Sequence, residues 1–503
     1  MALIFDLLQW FFVGAYFVVL ALLCVYGVHR YQLVYLYHKH KLGGTSPEAP
    51  ARLPSVTVQL PVYNERYVVC RLIEAVSKLD YPPALLDIQV LDDSTDDTRE
   101  IVAALVERLR VDGHDIHHLR RDGRAGFKAG ALQFGLRLAK GDLIAVFDAD
   151  FVPPRGLLRE LVPHFDKEEV GMVQARWGYL NRGYSLLTEL QAIFLDAHFA
   201  VEHLARNRSG RFFNFNGTAG LWRRDCIEAA GGWQSDTLTE DLDLSYRAQL
   251  AGWRFVFVPH IEAPSELPVE MSAFKVQQHR WAKGSLQTAF KLLGTVMRSR
   301  QPWRVKLEAV FHLTNNVSYL LLVFLSLSML PSMIIRYNMG WWETIWIDLP
   351  LLVSATLSVT LFYLTAQRAL RPQWPDSIVL IPAAMGLGIG IALNNGRAAL
   401  EALCGWRSEF RRTPKYGIAG VKDRCTNRVY APPIGFVIIG EVLMALYFAL
   451  NVYFALVNEI YVALPFLVLF LFGFSYVSLL SLVQRVARLG DLRAAMRPRT
   501  DVR

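Results

Sequence analysis

Two kinds of pattern divide the chain. Uninterrupted apolar stretches lie near 4–28, 310–335, 346–366, 434–457 and 459–483. Each supplies the roughly 20 apolar residues that a bilayer span needs. A sixth stretch, 377–396, is broken by Pro382, four glycines and the pair Asn394-Asn395. From Pro54 the pattern changes. Val56–Leu60, Ile88–Leu91 and Leu143–Phe147 read as buried strands, and 67–79, Thr98–Arg110 and Lys128–Ala139 as helices. That alternation predicts an α/β domain with a mostly parallel sheet and a ligand at the strand carboxyl ends. It is inserted into an α-helical transmembrane domain. The expected organisation is a membrane anchor at 1–30, a linker at 31–53, the soluble domain at 54–270 and interfacial helices at 271–309. Two spans follow within 310–366, then an interfacial helix at 377–403, a cytosolic loop at 404–430, two spans within 434–483 and a basic cytosolic tail at 484–503.

Charge decides how the spans are threaded. The chain of 503 residues is 53% hydrophobic and only 19% charged, which excludes a disordered chain and argues against a simple soluble enzyme. The net charge of +8 sits beside apolar spans, so it reads as membrane orientation, with no nucleic-acid partner. The first span lacks a basic leader and a small-residue cleavage site, and reads as a retained anchor with its N-terminus outside. Arg397, Arg407, Arg411, Arg412, Lys415, Lys422, Arg424 and Arg428 crowd the stretch after 396. A spanning 377–396 would carry them outside; five spans with 377–403 at the interface keep them cytosolic, along with Arg368, Arg371 and the tail arginines. Six spans is the alternative. Five scattered cysteines without a CxxC pair fit neither a zinc site nor a disulfide framework. The sequons at Asn207 and Asn216 fall on the cytosolic side, where they carry no glycan.

Four polar clusters could carry chemistry. Asp148-Ala149-Asp150 places two carboxylates at a strand end, a geometry suited to a divalent ion shared with a diphosphate, or simply to a solvated turn. Asp92-Asp93 could hold a nucleoside, or cap the next helix. Thr239-Glu240-Asp241 begins a helical period; it is a helix start or, with Asp241, a general base for a sugar hydroxyl. Gln277-Gln278-His279-Arg280-Trp281 precedes a span. Arg280 could fork onto a diphosphate and Trp281 could stack on a sugar ring, whereas Arg-Trp beside a membrane is otherwise an interface anchor. His279 as a metal ligand is the weaker reading.

In this order the clusters resemble the processive family-2 glycosyltransferases of GT-A fold, the group of cellulose, chitin and hyaluronan synthases. Gln59–Glu65, Val90–Thr95, Phe127–Leu132, Val173–Trp177 and Phe215–Gly220 are similar to the cellulose synthase-like A and C subfamilies, which make β-mannan, glucomannan or β-glucan backbones. The resemblance covers roughly 54–430. It implies that Asp92, Asp93 and Lys128 hold the nucleoside and diphosphate, and that Asp148 and Asp150 bind Mg2+ or Mn2+. It further implies Asn216 and Gly217 beside the acceptor, Asp241 as base next to Glu240, Gln277 and Arg280 toward the diphosphate, and Trp281 as acceptor platform. Phe410-Arg411-Arg412-Thr413-Pro414-Lys415 is similar to the family's gating loop; Phe410, Thr413 and Lys415 fit its pattern, and Arg412 departs from it. A cyclic-dinucleotide receptor domain is not expected after 483.

The expected activity is inverting transfer of hexose from UDP-glucose or GDP-mannose into a β-linked polysaccharide for the cell wall, with export between the spans and accessory export subunits as further partners. Sugar hydroxyls need polar partners inside a membrane, so Asn315, Asn316, Ser318, Glu441 and Asn451 are candidate pore residues. Single transfer to a lipid acceptor such as diacylglycerol or ceramide is the alternative, and a non-catalytic transporter or scaffold a remote one. The expected location is a bacterial inner membrane with the catalytic domain cytosolic, or a Golgi membrane in a eukaryote.

Overall fold

Seven strands form one sheet in the soluble part: β1 (Val56–Val62), β2 (Leu86–Asp92), β3 (Ile116–Leu119), β4 (Leu143–Val146), β5 (Val170–Tyr179), β6 (Gly220–Arg223) and β7 (Arg254–Ser265). Their order is β3-β2-β1-β4-β6-β5-β7. β1 pairs in parallel with β2 and β4, β2 with β3, and β5 with β7; β6 runs antiparallel between β4 and β5. The sheet is therefore mostly parallel. β2 is buried along its whole length and β1 along nearly all of it, which is why both read as near-continuous apolar runs. The computed structural model describes residues 2–42, 47, 48, 50, 52–406, 410, 412–420, 423 and 437–495. Arg407, Arg411, Lys422, Arg424, Arg428 and the tail arginines Arg497 and Arg499 lie outside the described residues.

The three predicted strands are present; β1 and β2 run slightly longer than the pattern indicates, β1 continuing through Pro61 to Val62, and β4 ends one residue earlier, at Val146. β3, β5, β6 and β7 were not expected. β3 is four residues with two histidines, and β7 contains Pro259 and Pro264, so neither shows a strand signature. The chain order reverses about β1, whose neighbours β2 and β4 lie on opposite sides. Ligands bind at such a switch point, outside the carboxyl ends of the strands.

Among the described residues, five helical segments are long and apolar enough to cross a membrane: Leu8–His40, Val317–Asn338, Ile345–Leu370, Val437–Val457 and Tyr461–Arg488. The expected segment 310–335 divides. Trp303–Thr314 is a separate helix whose Val305, Ala309 and Leu313 pack on Leu242, Tyr246 and Val296 of the soluble part, and the span begins only at Val317. The stretch 377–396 folds as Leu380–Gly390 followed by Ala392–Leu403. Eleven residues rise only about 16 Å, short of the roughly 30 Å hydrocarbon core. Leu380–Gly390 lies against the last span, where a Cβ on Gly473 would meet the Gly386 carbonyl oxygen at 2.3 Å. Only glycine permits that approach.

The soluble part is seated directly on this assembly. Leu187, Leu190, Ile193, Met271 and Phe274 pack with Ala384, Leu387, Ile391 and Val477 in one buried cluster. Arg371 reaches Glu189 at 2.8 Å and Arg182 reaches Gln367 at 3.0 Å. Two expected pore residues are fully buried and already bonded. Glu441 accepts from Lys275 Nζ at 2.5 Å, and Asn451 donates to the Tyr447 carbonyl at 2.8 Å. The Glu441 bond crosses to the helix Met271–Arg298 and the Asn451 bond stays within its own helix, while Glu441 Oε1 and Asn451 Oδ1 are buried without a hydrogen-bond partner among the described residues. Asn315 is exposed at the start of the second span.

Candidate functional site

The strand carboxyl ends feed one cleft. β1 runs into Tyr63 and Glu65, β2 into Asp93, and β4 into Asp148 and Asp150. Asn216 and Gly217 precede β6, and helix Glu240–Leu250 starts with Glu240 and Asp241. Helix Met271–Arg298 contributes Gln277, Arg280 and Trp281. All of these line the same cleft, about 1190 Å3 including its open mouth, together with Lys128, Phe410, Arg412, Thr413 and Lys415. The helix carrying Trp281 also carries Met271 and Phe274 into the contact with the membrane helices, so the cleft sits directly beside the membrane-facing assembly.

Asp92 is the one predicted site residue that the structure leaves out. Its Oδ1 accepts from the Ser94 amide at 2.8 Å and its Oδ2 lies 2.8 Å from His118 Nε2, with the side chain fully buried. The two hydrogen bonds, with the His118 charge, hold the carboxyl below its usual range despite burial. Side chains alternate along a strand, so of two adjacent aspartates only Asp93 turns to the cleft. Asp93 is gripped by Arg121 at 2.8 and 2.6 Å.

The two Asp148/Asp150 carboxylates are each matched by a lysine. Lys128 Nζ lies 2.5 Å from Asp148 Oδ1, 2.9 Å from the Gly217 carbonyl and 3.8 Å from Glu240. Lys415 Nζ lies 2.6 Å from Asp150 Oδ2. Burial raises the Asp148 pKa, and the Asp150 charge adds to it against Lys128. Burial opposes the Lys128 charge, but Asp148 and then Glu240 raise its pKa overall. Two neighbouring carboxylates, each already drawing a cationic side chain, are hard oxygen donors, so Asp148 and Asp150 fit Mg2+ or Mn2+. A second cluster, Asp87, Asp115 and His117, has ligand atoms within 4.8 Å of one another. It stands at the opposite, amino-terminal end of β2, and Lys140 Nζ is already 2.7 Å from Asp115. It does not share the cleft.

Asp241 is half-buried and lines the cleft. Burial and then the Glu240 charge push its carboxyl up to about 7, against Lys128 and the Leu242 amide. Gly217, at φ +79°, lies alongside: a Cβ there would stand 3.0 Å from Asp241 Oδ2 and 3.3 Å from Lys128 Nζ. A side chain would fill the space before the carboxylate. Beyond Asp241 an aromatic wall runs from Trp281 to Trp177 and on to Phe199, with centroids 6.5 and 5.2 Å apart.

The loop carrying Phe410 is docked over this cleft. The Phe410 ring lies 5.9 Å from that of Phe127, and the Arg280 guanidinium is 4.8 Å from its centroid. Arg412, the departure from the family pattern, pairs with Glu65 at 2.5 Å. Burial pushes the Glu65 carboxyl up to about 7, and Arg412 only partly restrains it. Lys415 also donates to the Glu266 carbonyl, and the Tyr416 amide donates to Glu266 Oε1 at 2.8 Å.

Sequence reasoning missed Glu65, Arg124 and Glu266 as cleft residues. The Arg124 guanidinium lies 3.4 Å above the Tyr63 ring. The run Arg120-Arg121-Asp122-Gly123-Arg124 before a glycine-led helix was the available signal for an anion site. His279 lies 3.3 Å from Glu401, as an ion-pair neighbour and not within a ligand cluster. Of the two sequons, Asn207 donates to the Phe255 carbonyl at 2.7 Å and Asn216 lines the cleft.

Residues 54–284 match the family model described as Glycosyltransferase like family 2. Probable glucomannan 4-beta-mannosyltransferase 11 of Arabidopsis thaliana is 35% identical over 396 residues, covering 76% of this chain and 86% of that protein. Probable glucomannan 4-beta-mannosyltransferase 15 of the same plant is 37% identical over 323 residues, covering 62% of this chain and 60% of its own length. Glucomannan 4-beta-mannosyltransferase 1 of Oryza sativa subsp. japonica is 41% identical over 253 residues, covering 49% of each. The chain thus spans only half to three-fifths of the length of some relatives. These relatives are plant proteins and lend no support to a bacterial inner membrane.

Proposed function

The chain belongs to the family-2 glycosyltransferases, and from that membership we propose that it is a membrane-embedded, inverting hexosyltransferase that extends a β-linked polysaccharide from a nucleotide sugar. The relatives' names favour a mannosyl donor, so GDP-mannose is the proposed substrate and UDP-glucose the competing one. The observation that carries the reading is the convergence of Asp241, the Asp148/Asp150 pair, Lys128, Arg280 and Trp281 on one cleft beside the membrane helices.

The reaction follows from the charges. Asp241, a carboxyl held near neutrality, takes the proton from the acceptor hydroxyl. The freed oxygen attacks the anomeric carbon opposite the diphosphate. The new carbon–oxygen bond forms as the bond to phosphate breaks, the electron pair leaves with the diphosphate, and an α-linked donor gives a β-linked product. Lys128 and Arg280 stabilise the negative charge that develops on the leaving group. Asp148 and Asp150 would hold Mg2+ or Mn2+, which would neutralise diphosphate charge. Trp281 offers its ring face to the acceptor sugar. The Phe410–Lys415 loop excludes water from above, and the grown chain leaves between the membrane helices.

Purified full-length protein given GDP-mannose or UDP-glucose with Mn2+ tests this reading. It should release nucleotide from GDP-mannose and yield a polymer that an endo-mannanase degrades. A radiolabelled product that partitions wholly into organic solvent would identify single transfer to a lipid instead, and absence of nucleotide release from both donors would refute catalysis.

A further inference from the structure

Beneath the acceptor side of the cleft lies a buried polar network that the mechanism above does not use. Its centre is Asn216, which lines the cleft beside Gly217 and hence beside Asp241. The Asn216 side chain meets two histidines. Its Oδ1 lies 2.6 Å from His203 Nε2, and its Nδ2 lies 2.9 Å from His198 Nε2. Both histidines belong to a single π-helical turn, His198–His203, which inserts between α-helices; such turns recur at functional sites.

The proton positions in this network are fixed by what each partner can do. His203 Nε2 also lies 3.1 Å from the Asn214 carbonyl oxygen, which can only accept. His203 Nε2 therefore carries a hydrogen, and the Asn216 atom facing it must be the oxygen. The Asn216 nitrogen then faces His198, so His198 Nε2 must be the acceptor. Its hydrogen sits on Nδ1, donated to Glu202 Oε2 at 2.8 Å. Burial drives His203 well toward its neutral form. Glu202 is in turn held by Arg206 at 3.4 Å, and Arg206 by Glu308 at 2.8 Å. Each link fixes the next, and neither histidine can rotate without leaving a polar group unpaired.

One Asn216 N–H is consumed by His198, and the other is left for the cleft. We infer that His198 and His203 are positioning residues that lock the Asn216 amide so that this second N–H meets a hydroxyl oxygen of the acceptor sugar. The inference rests on the glycosyltransferase reading and adds an acceptor-orienting set to it. The network acts on the acceptor and not on the leaving diphosphate, which Lys128 and Arg280 face. His198 and His203 thereby set where the attacking hydroxyl stands relative to Asp241.

The test uses full-length protein, GDP-mannose and a soluble β-1,4-linked manno-oligosaccharide as acceptor. His198→Ala should raise the acceptor KM about tenfold, the scale of one lost hydrogen bond, with a much smaller change in the donor KM. His198→Gln places an acceptor oxygen near the former Nε2 and should restore the KM. His198→Ala added to Asn216→Ala should have no further effect, because His198 acts through Asn216. Additive effects, failure of His198→Gln to rescue, or equal loss on donor and acceptor would overturn the positioning role. A wild-type protein that binds GDP-mannose and transfers nothing would overturn the glycosyltransferase reading itself, and this inference with it.

Discussion

Asp241 carries the proposed chemistry because of what surrounds it. A solvated aspartate would be too weak a base for a sugar hydroxyl. Here burial and the adjacent Glu240 raise it to about 7, while Lys128 and the Leu242 amide limit the rise. The sign follows directly: the base works deprotonated, so kcat/KM falls as pH drops through 7, by about tenfold per unit well below it. Glu65 is raised to about the same value by burial, so the titrating group needs a label. Glu240→Gln removes the charge that lifts Asp241, and should move the acidic limb of the kcat/KM profile to lower pH. A limb that stays in place would assign it elsewhere. At this scale the sequence was informative where a motif is short and local. Asp148, Asp150, Asp241 and Trp281 line one cleft. Asp92 does not, because strand alternation turns one of two neighbouring aspartates into the interior. Glu65 was invisible as a site residue because its partner, Arg412, is over 300 positions away.

The Phe410–Gly420 stretch is the element that most changes the cleft. It has no regular secondary structure among its described residues, and it is held by side chains. Arg412 pairs with Glu65, Lys415 with Asp150, and the Tyr416 amide and hydroxyl bond Glu266 and Glu270. Every one of these acceptors belongs to the soluble part. Removing Arg412 leaves Glu65 buried without its cation. Arg412→Ala should therefore loosen the segment, and hydrogen exchange should report faster exchange at the Tyr416 amide by about tenfold or more. Unchanged protection would show that Arg412 does not anchor the loop. The periodic elements were legible: β1, β2, β4 and three helices follow from apolar spacing. β7 was not, because Pro259 and Pro264 break its pattern and its stability comes from pairing with β5 over nine positions of that strand. The short helix Leu380–Gly390 was legible only as an exception, through its glycines.

At the scale of the whole molecule, the sheet's switch point and the membrane helices are brought together by the helix Met271–Arg298, which belongs to both. Its first turn packs on the helices near 384–391 and 477, and its middle carries Arg280 and Trp281 into the cleft. In the proposed five-span arrangement the soluble part and the helix Ala392–Leu403 share one side of the bilayer, and the turns near 339 and 459 face the other. Cys404 is exposed, so a membrane-impermeant maleimide should label it from the face that receives nucleotide sugar. A cysteine placed at Met339 should be labelled only from the opposite face. Labelling of both from one side would contradict the five-span arrangement. The central claim, that Asp241 is the base of a transferase cleft, is tested most directly by measuring donor binding and sugar transfer in parallel for wild type and Asp241→Asn. GDP-mannose affinity should stay close to wild type, with transfer reduced by about 10²–10⁴-fold. Transfer near the wild-type rate, with donor still bound, would contradict it.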